Sequence, residues 1–378
     1  MAEWSLWFGC AIAGAAMVYG ILALLAVRAP IRSPGYVLDD APAVTMLKPL
    51  CGAEPETYEC LRSFCDQAYR DFQVVFGVKD GMDPAVAIVE RLQREFPHRD
   101  LQLVIDRRQH GSSGKVSNLI NMAAFARHDV LVISDSDIRV ERDYLANVVA
   151  PLLDAGVGIV TCPYRGAPGS GFWSHMGSLF INEWFMPSVR VAAMAGSRSF
   201  GFGATIAMRR QALVNIGGFA AICDQLADDY RLGELTRRIG LRTVLSEVVV
   251  DTCVAERSLE ELVRHELRWL RTIRLVRPLG FFFSFVTFGV PVAALGTLAA
   301  GGAAPAAGML AVTAVARLLL HLRVREPGTS ASALLVLPLR ETLSLALWGW
   351  SFATRRVHWR DDRYQVGADG SVRRIVRI

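Results

Sequence analysis

Between Phe281 and Ala316 the chain carries no charged residue. A run that long and apolar is satisfied only inside a bilayer or a large core, and within a bilayer it must be helical, because no water is present to hydrogen-bond an open backbone. Gly301-Gly302-Ala303-Ala304-Pro305 interrupts the run, so the expectation is a hairpin of two membrane helices. A second uncharged apolar stretch, Ser5 to Val27, is long enough to cross a bilayer once. Arg28 and Arg32 follow it at once, and Glu3 is the only charge before it. By the positive-inside rule the amino terminus then lies outside and the next domain faces the cytoplasm. A cleaved signal peptide fits less well, because the apolar core is too long and the positive flank is on the wrong side.

A last apolar segment, Leu334 to Phe352, contains Pro338, Arg340 and Glu341, and the tail beyond it has seven arginines against three aspartates. Charge inside a span is costly, and a spanning segment would carry this basic tail outward. The expectation is a re-entrant or interfacial segment with a cytosolic tail. Composition agrees with a membrane protein, at 52% hydrophobic and 20% charged. The net charge of +5 comes with no basic, aromatic-interleaved stripe, so nucleic acid is not an expected partner. The seven cysteines form no CxxC pair and no zinc spacing, as suits structural thiols in a reduced, cytosol-facing domain.

Between the apolar ends, strand and helix alternate. Pro30 to Pro42 reads as a linker, Ala43–Leu47 as a strand, Glu54–Gln67 as a helix and Phe72–Val78 as a strand. A helix over Pro84–Phe96, a strand over Leu101–Ile105, a helix over Asn118–Phe125 and a strand over Val130–Ile133 follow. Later come a helix over Asp224–Ile239, a strand over Leu241–Val250 and a helix over Leu259–Arg274. Such alternation predicts an α/β fold with a mostly parallel sheet covered by helices. The domains read as an anchor over 1–28, a cytosolic domain over 29–278, a membrane region over 279–353 and a basic tail over 354–378.

Asp135-Ser136-Asp137 ends the Val130–Ile133 run, where ligands gather at the carboxyl edge of an open sheet. Two carboxylates there offer hard oxygens to Mg²⁺ or Mn²⁺, which in turn hold a diphosphate, although aspartates also open surface turns. Asp80 ends the second strand and suits a base or ribose, or equally a solvated turn beside Gly81. Lys115 follows a flexible loop, His110-Gly-Ser-Ser-Gly, and is a phosphate contact or a surface lysine; Val116 excludes a Walker loop. Asp228 and Asp229 suit a general base, or simply the dipole of a helix start. His265, Arg268 and Trp269 share one helical face, as in an active-site wall or an interfacial helix.

The order of these features resembles the processive and lipid-directed family-2-like glycosyltransferases of GT-A fold, and most of all the ceramide glucosyltransferase family. The matching text is Val74-Val-Phe-Gly-Val-Lys-Asp80-Gly-Met-Asp-Pro-Ala, Lys115-Val-Ser-Asn118-Leu, Asp135-Ser-Asp-Ile-Arg139-Val, Gly201-Phe-Gly-Ala-Thr, Asp228-Asp229-Tyr230 and Arg268-Trp269. Within that family the wording is similar to the hopanoid-biosynthesis glycosyltransferases, on Leu47-Lys-Pro-Leu, Phe180-Ile-Asn-Glu-Trp-Phe, Gly203-Ala-Thr-Ile-Ala and His265-Glu-Leu-Arg-Trp-Leu-Arg-Thr-Ile-Arg-Leu-Val-Arg-Pro.

The resemblance implies a GT-A domain between membrane helices at both ends, in a bacterial inner membrane with the catalytic domain facing the cytoplasm. It implies N-acetylglucosamine transfer from UDP-GlcNAc to a hydroxyl of bacteriohopanetetrol, a lipid drawn from the bilayer, with inversion at the anomeric carbon. Asp80 would hold the uracil or ribose, and Lys115 the donor. Asp135 with Asp137 would hold the divalent metal. Asp229 would deprotonate the acceptor, and Arg268 and Trp269 would close the site. His265 stands on the donor side, where the broad pattern has Gln or Arg. The second acid of Asp135-x-Asp137 is not kept in every ceramide-type relative, which leaves open which carboxylate binds metal. The alternatives are a ceramide glucosyltransferase using UDP-glucose, a polyprenyl-phosphate or polysaccharide-forming transferase, and an inactive nucleotide-sugar-binding scaffold.

Overall fold

A computed structural model of the chain describes residues 2–27, 41–325, 333–354, 356–359, 362–367 and 370–374. The expected linker lies outside the described residues up to residue 40, as do Arg28 and Arg32. The described chain forms two compact units.

The first unit to consider comprises residues 31–170, 198–255 and 362–378. Its strands are β1 (Val44–Pro49), β2 (Phe72–Val78), β3 (Asp100–Ile105), β4 (Val130–Ile133), β5 (Ile138–Arg139), β6 (Val157–Thr161), β7 (Tyr164–Pro168), β8 (Ile206–Arg209), β9 (Arg242–Leu245) and β10 (Val250–Val254). Seven form one sheet in the order β3-β2-β1-β4-β8-β6-β9, while β5, β10 and β7 form a second sheet. In the large sheet β1 runs parallel to β2 and β4, β2 to β3 and β6 to β9; only β8 is antiparallel to its neighbours. The mostly parallel α/β sheet expected from the alternating pattern is therefore present.

β1, β2 and β4 are buried along their whole length, which is why they read as continuous apolar runs. Alternate residues serve opposite faces. Val44, Met46, Val74, Phe76 and Val132 join Leu61, Phe64, Val89 and Tyr144 on one side. Leu47, Val75, Leu131 and Ile133 join Val116, Leu119, Met122 and Phe219 on the other. Asn118 locks its helix, Gly114–Ala123, to the strand ends: its amide donates to the Gly77 carbonyl at 2.7 Å and the Leu50 carbonyl at 3.4 Å. Gly77 must lack a side chain, because a Cβ there would stand 2.2 Å from Asn118 Oδ1.

Two expectations need correction. Leu241–Val250 is not one strand: β9 ends at Leu245 and β10 starts at Val250, in different sheets. Ser246 breaks the run, its N–H donating to the Thr161 carbonyl and its hydroxyl accepting from Val248. The helix expected from Asp224 starts only at Asp228. In the tail, strands Asp362–Val366 and Val372–Arg374 pair antiparallel, and the Gly370 carbonyl accepts from Leu226.

The other unit comprises residues 1–30, 171–197 and 256–361. Helices Glu3–Ala26 and Ala304–Val324 are long and apolar enough to cross a membrane, and Pro278–Thr287 with Gly289–Ala299, bent by 79°, adds a third if the pair is one span. The break at Gly301-Gly302 falls where expected, both glycines having positive φ. The second arm, however, continues past Ala316 to take in Arg317, His321 and Arg323. The helix Ala2–Ala26 crosses Gly289–Ala299 so closely that a Cβ on Gly9 would meet the Gly296 carbonyl at 2.3 Å. Small residues permit that approach, which gives dispersion contact where no hydrophobic effect acts between helices.

Among the described residues, Glu183, Arg317, Glu341, Arg340 and Glu266 of this unit are paired with one another or with neighbours. Glu183 sits in a π-helical turn, Ile181–Phe185, between helices Phe172–Phe180 and Met186–Met194. It contacts Arg317 and His321, each at 2.5 Å, and Arg317 also pairs with Glu341. Glu341 accepts from the backbone of Val290 at 3.0 Å, and Arg340 pairs with Glu266 at 2.5 Å. The segment with the two awkward charges, Leu334 to Phe352, is helical up to Ser351, in a helix, Ala333–Ser351, whose charged residues face protein partners.

Candidate active site

β1 and β4 are neighbours, and their ladder stops at Leu47 and Ile133. The chain beyond β4 therefore turns at the carboxyl edge of the sheet, where Asp135 and Asp137 stand. The Asp135 N–H donates to the Gly203 carbonyl at 3.2 Å. Its carboxylate meets Lys115 Nζ at 2.6 Å, and the same ammonium lies 3.4 Å from Asp228. Lys115 is placed by the helix Gly114–Ala123, capped by the Ser113 hydroxyl accepting from Val116. Burial lowers the Lys115 pKa, but the charges of Asp135, Asp228 and Asp229 outweigh it and hold the group well above the ordinary lysine range. Gly203 lines this cluster, and a Cβ there would stand 2.5 Å from Asp135 Oδ2 and 3.1 Å from Lys115 Nζ.

Asp229 follows Asp228 in the first turn of the helix Asp228–Arg238. Its Oδ2 accepts from the Gly203 N–H at 2.7 Å and its Oδ1 from the Tyr230 N–H at 2.7 Å. These donors fix its direction. Burial, with the neighbouring Asp228 charge, raises its pKa to about 6. That value suits a group that must take a proton near neutral pH. Asp137 is turned inward: its Oδ2 accepts from the Thr252 hydroxyl at 2.8 Å, and its carbonyl accepts from the Cys253 N–H at 2.8 Å. Burial, then the Asp135 charge, pushes its pKa up, as expected of a second acid placed where a cation is wanted.

The donor set fits a divalent cation that Asp135 and Asp137 would hold. The Asp135 side chain is 38% exposed and so offers an open hard-oxygen ligand, with the inward Asp137 behind it. Among the described residues no group of three or more His, Cys, Asp or Glu side chains is arranged to hold a metal alone. One or two carboxylates completed by phosphate oxygens and water is the usual demand of Mg²⁺-like ions.

The other site residues predicted from sequence make contacts of their own. Asp80, at the end of β2, pairs with Arg107 at 3.1 Å and accepts from Met82, and these contacts lower its pKa. His265, Arg268 and Trp269 belong to the other unit, on the helix Leu259–Val276. There His265 Nδ1 contacts Glu256 at 2.5 Å and the His265 ring meets Trp269 edge-on at 4.8 Å. Thr252, Gly203 and Lys48 have no site role in the sequence reading, although Gly203 and Lys48 fall within its motifs. Lys48 lies one residue past the strand expected over Ala43–Leu47, and the observed strand takes it in. Its Nζ donates to the Asp135 carbonyl at 2.5 Å, and burial brings its pKa down to about 8.

A mostly parallel sheet with Asp135 and Asp137 at its carboxyl edge, and with Lys115 between Asp135 and Asp228, matches the GT-A class of fold. The chain belongs to glycosyl transferase family 21, whose sequence profile matches residues 8–372. It is similar to ceramide glucosyltransferase 1 of Caenorhabditis elegans, 23% identical over 207 residues that cover 54% of this chain and 44% of that protein. Ceramide glucosyltransferase 3 of the same organism is 24% identical over 249 residues, covering 63% of this chain and 53% of the relative. The chain thus spans about half the length of these relatives. Among solved structures, the mannosyltransferase PcManGT from Pyrobaculum calidifontis, in complex with GDP-Man and Mn²⁺, aligns over 93% of this chain and 96% of its own with a TM-score of 0.56 and 21% identity. That likeness is one of fold, and it agrees with the GT-A expectation.

Proposed function

We propose that this chain is an inverting, metal-dependent membrane glycosyltransferase that moves a sugar from a UDP-sugar to the hydroxyl of a lipid. The observation that carries the reading is the cluster of Lys115, Asp135, Asp228 and Asp229 at the carboxyl edge of the sheet. Asp135 and Asp137 would hold Mg²⁺ or Mn²⁺, which when bound neutralises charge on a departing diphosphate. Lys115 adds a fixed positive charge for the same diphosphate. Asp229, aimed by the Gly203 and Tyr230 N–H groups, takes the proton from the acceptor hydroxyl as it attacks the anomeric carbon. A single displacement inverts that carbon, so an α-linked donor gives a β-glycoside. Asp80 is assigned to the uracil or ribose, His265 to the donor side, and Arg268 and Trp269 to closing the site.

A lipid acceptor fits the apolar helices. Pulling a large apolar body into water costs about 25 cal/mol per Å², so a membrane-embedded enzyme gains by leaving that body in the bilayer. We assign the sugar as N-acetylglucosamine and the lipid as a hopanoid such as bacteriohopanetetrol, on the motif resemblance, in a bacterial inner membrane with the acid cluster on the cytoplasmic side. The names of the curated relatives favour a second reading, glucose transferred to ceramide. Membranes containing the protein, incubated with UDP-GlcNAc or UDP-glucose against bacteriohopanetetrol or ceramide, with EDTA or Mn²⁺, separate the two by mass spectrometry. A metal-dependent N-acetylhexosamine adduct on the hopanoid alone supports the first. A hexose on ceramide supports the second. No adduct and no UDP-sugar binding overturns both.

A further inference from the structure

Lys48 has no part in the transfer step, yet it is buried with 0% of its surface exposed. It lies near the end of β1, between neighbours β2 and β4. Its ammonium donates to the Asp135 carbonyl at 2.5 Å and the Ser134 hydroxyl at 3.3 Å, and stands 3.6 Å from the centre of the Phe64 ring. A carbonyl, a hydroxyl, a ring face and the charges of Asp137 and Asp135 only partly offset the desolvation of this ammonium. Val44, Met46 and Leu47 on the same strand are also fully buried, so a methionine of similar volume would serve the core with less desolvation cost.

The reason to keep a lysine lies in what it holds. The last bond between the two strands runs from the Ser134 N–H to the Leu47 carbonyl at 3.3 Å. One residue on, Asp135 is beyond the ladder. Its N–H is fixed by the Gly203 carbonyl, and its own carbonyl accepts a 2.5 Å bond from Lys48 beside a longer one, 3.4 Å, from the Ile138 N–H. The peptide plane between Asp135 and Ser136 is thereby set, and with it the path to Asp137.

We propose that Lys48 is a positioning residue for the acid pair: by gripping the Asp135 carbonyl past the end of the β1–β4 ladder, it sets the direction in which Asp135 and Asp137 present their carboxylates to the cation and diphosphate. The proposal rests on the functional reading above. It separates stability from turnover. An apolar side chain at position 48 leaves the fold as stable or more so, while the acids lose their aim.

The test compares purified full-length wild type with Lys48→Met, Lys48→Arg and Asp135→Ala, measuring the thermal midpoint in detergent, kcat, and KM for donor and acceptor. Lys48→Met keeps or raises the midpoint and lowers kcat by about ten- to hundredfold, the scale of a lost charge-assisted hydrogen bond. Its acceptor KM stays the same, and Lys48→Arg, which retains a charged donor, recovers part of the loss. A wild-type kcat in Lys48→Met overturns the proposal. So does a lowered midpoint with normal turnover per folded molecule, or an equal loss in the arginine variant. Should the methionine variant not fold, Lys48→Gln replaces it under the same criteria. Asp135→Ala marks the other kind of failure: if it keeps full metal-dependent transfer, the functional reading itself is wrong, whereas its inactivity beside a fully active Lys48→Met defeats the lysine proposal alone.

Discussion

Asp229 accepts a proton only as a carboxylate, and burial raises its pKa to about 6. The sign follows directly. Below that pH the group is protonated and cannot act as a base, so kcat/KM rises with pH through about 6 and levels above it. Lys115 stays charged across this range, because three carboxylates outweigh its burial. A pH–rate profile of kcat/KM checks this; a rising limb centred near the ordinary aspartate value of about 4 contradicts it. Gly203 gives a second test at the same scale. A methyl group there meets Asp135 Oδ2 at 2.5 Å and Lys115 Nζ at 3.1 Å, both ends of movable side chains. Gly203→Ala therefore parts Lys115 from Asp135 without unfolding the sheet. The donor KM rises by about tenfold, the loss expected of one disturbed charge-assisted contact, with an unchanged thermal midpoint. An unchanged donor KM sinks this assignment.

At the scale of elements, the charged cluster of the apolar unit sets how the helix Ala333–Ser351 is seated. Arg317 links Glu183 in the π-helical turn to Glu341 on that helix. Arg317→Met removes the cation that two buried carboxylates share, leaving Glu183 only His321 and Glu341 only the Val290 N–H, and costs about 3–5 kcal/mol. A thermal scan of the detergent-solubilised protein measures it, and adding Glu183→Gln and Glu341→Gln restores part of the loss. A neutral effect of Arg317→Met contradicts the assignment. This cluster was not legible in sequence, where Arg340 and Glu341 read only as charges a span could not carry. Their partners come from distant segments, and only tertiary structure brings them together. β1, β2 and β4 were legible because helices cover both faces, leaving no polar alternation to confuse the pattern. The division of Leu241–Val250 was not, because β-rich residues flank Ser246 on both sides and the break is made by its bond to Thr161.

At the scale of the whole molecule, the ordered motifs of the chain already implied a GT-A domain among membrane helices, and the sheet order, the paired charges and the match to glycosyl transferase family 21 agree. The acid cluster was legible as a set of strand-end and helix-start aspartates. The parts that aim it were not: Thr252 on Asp137, Gly203 on Asp229 and Lys48 on Asp135 act through single bonds that leave no periodic trace. The central claim is that Asp229 is the base in a site assembled to bind a UDP-sugar. Its most direct test is purified Asp229→Asn, assayed for sugar transfer to lipid and, separately, for UDP-sugar binding by calorimetry. The account predicts transfer lowered by about 10²–10⁴-fold, with donor affinity within a few-fold of wild type. Transfer at the wild-type rate, or loss of donor binding together with transfer, would contradict it.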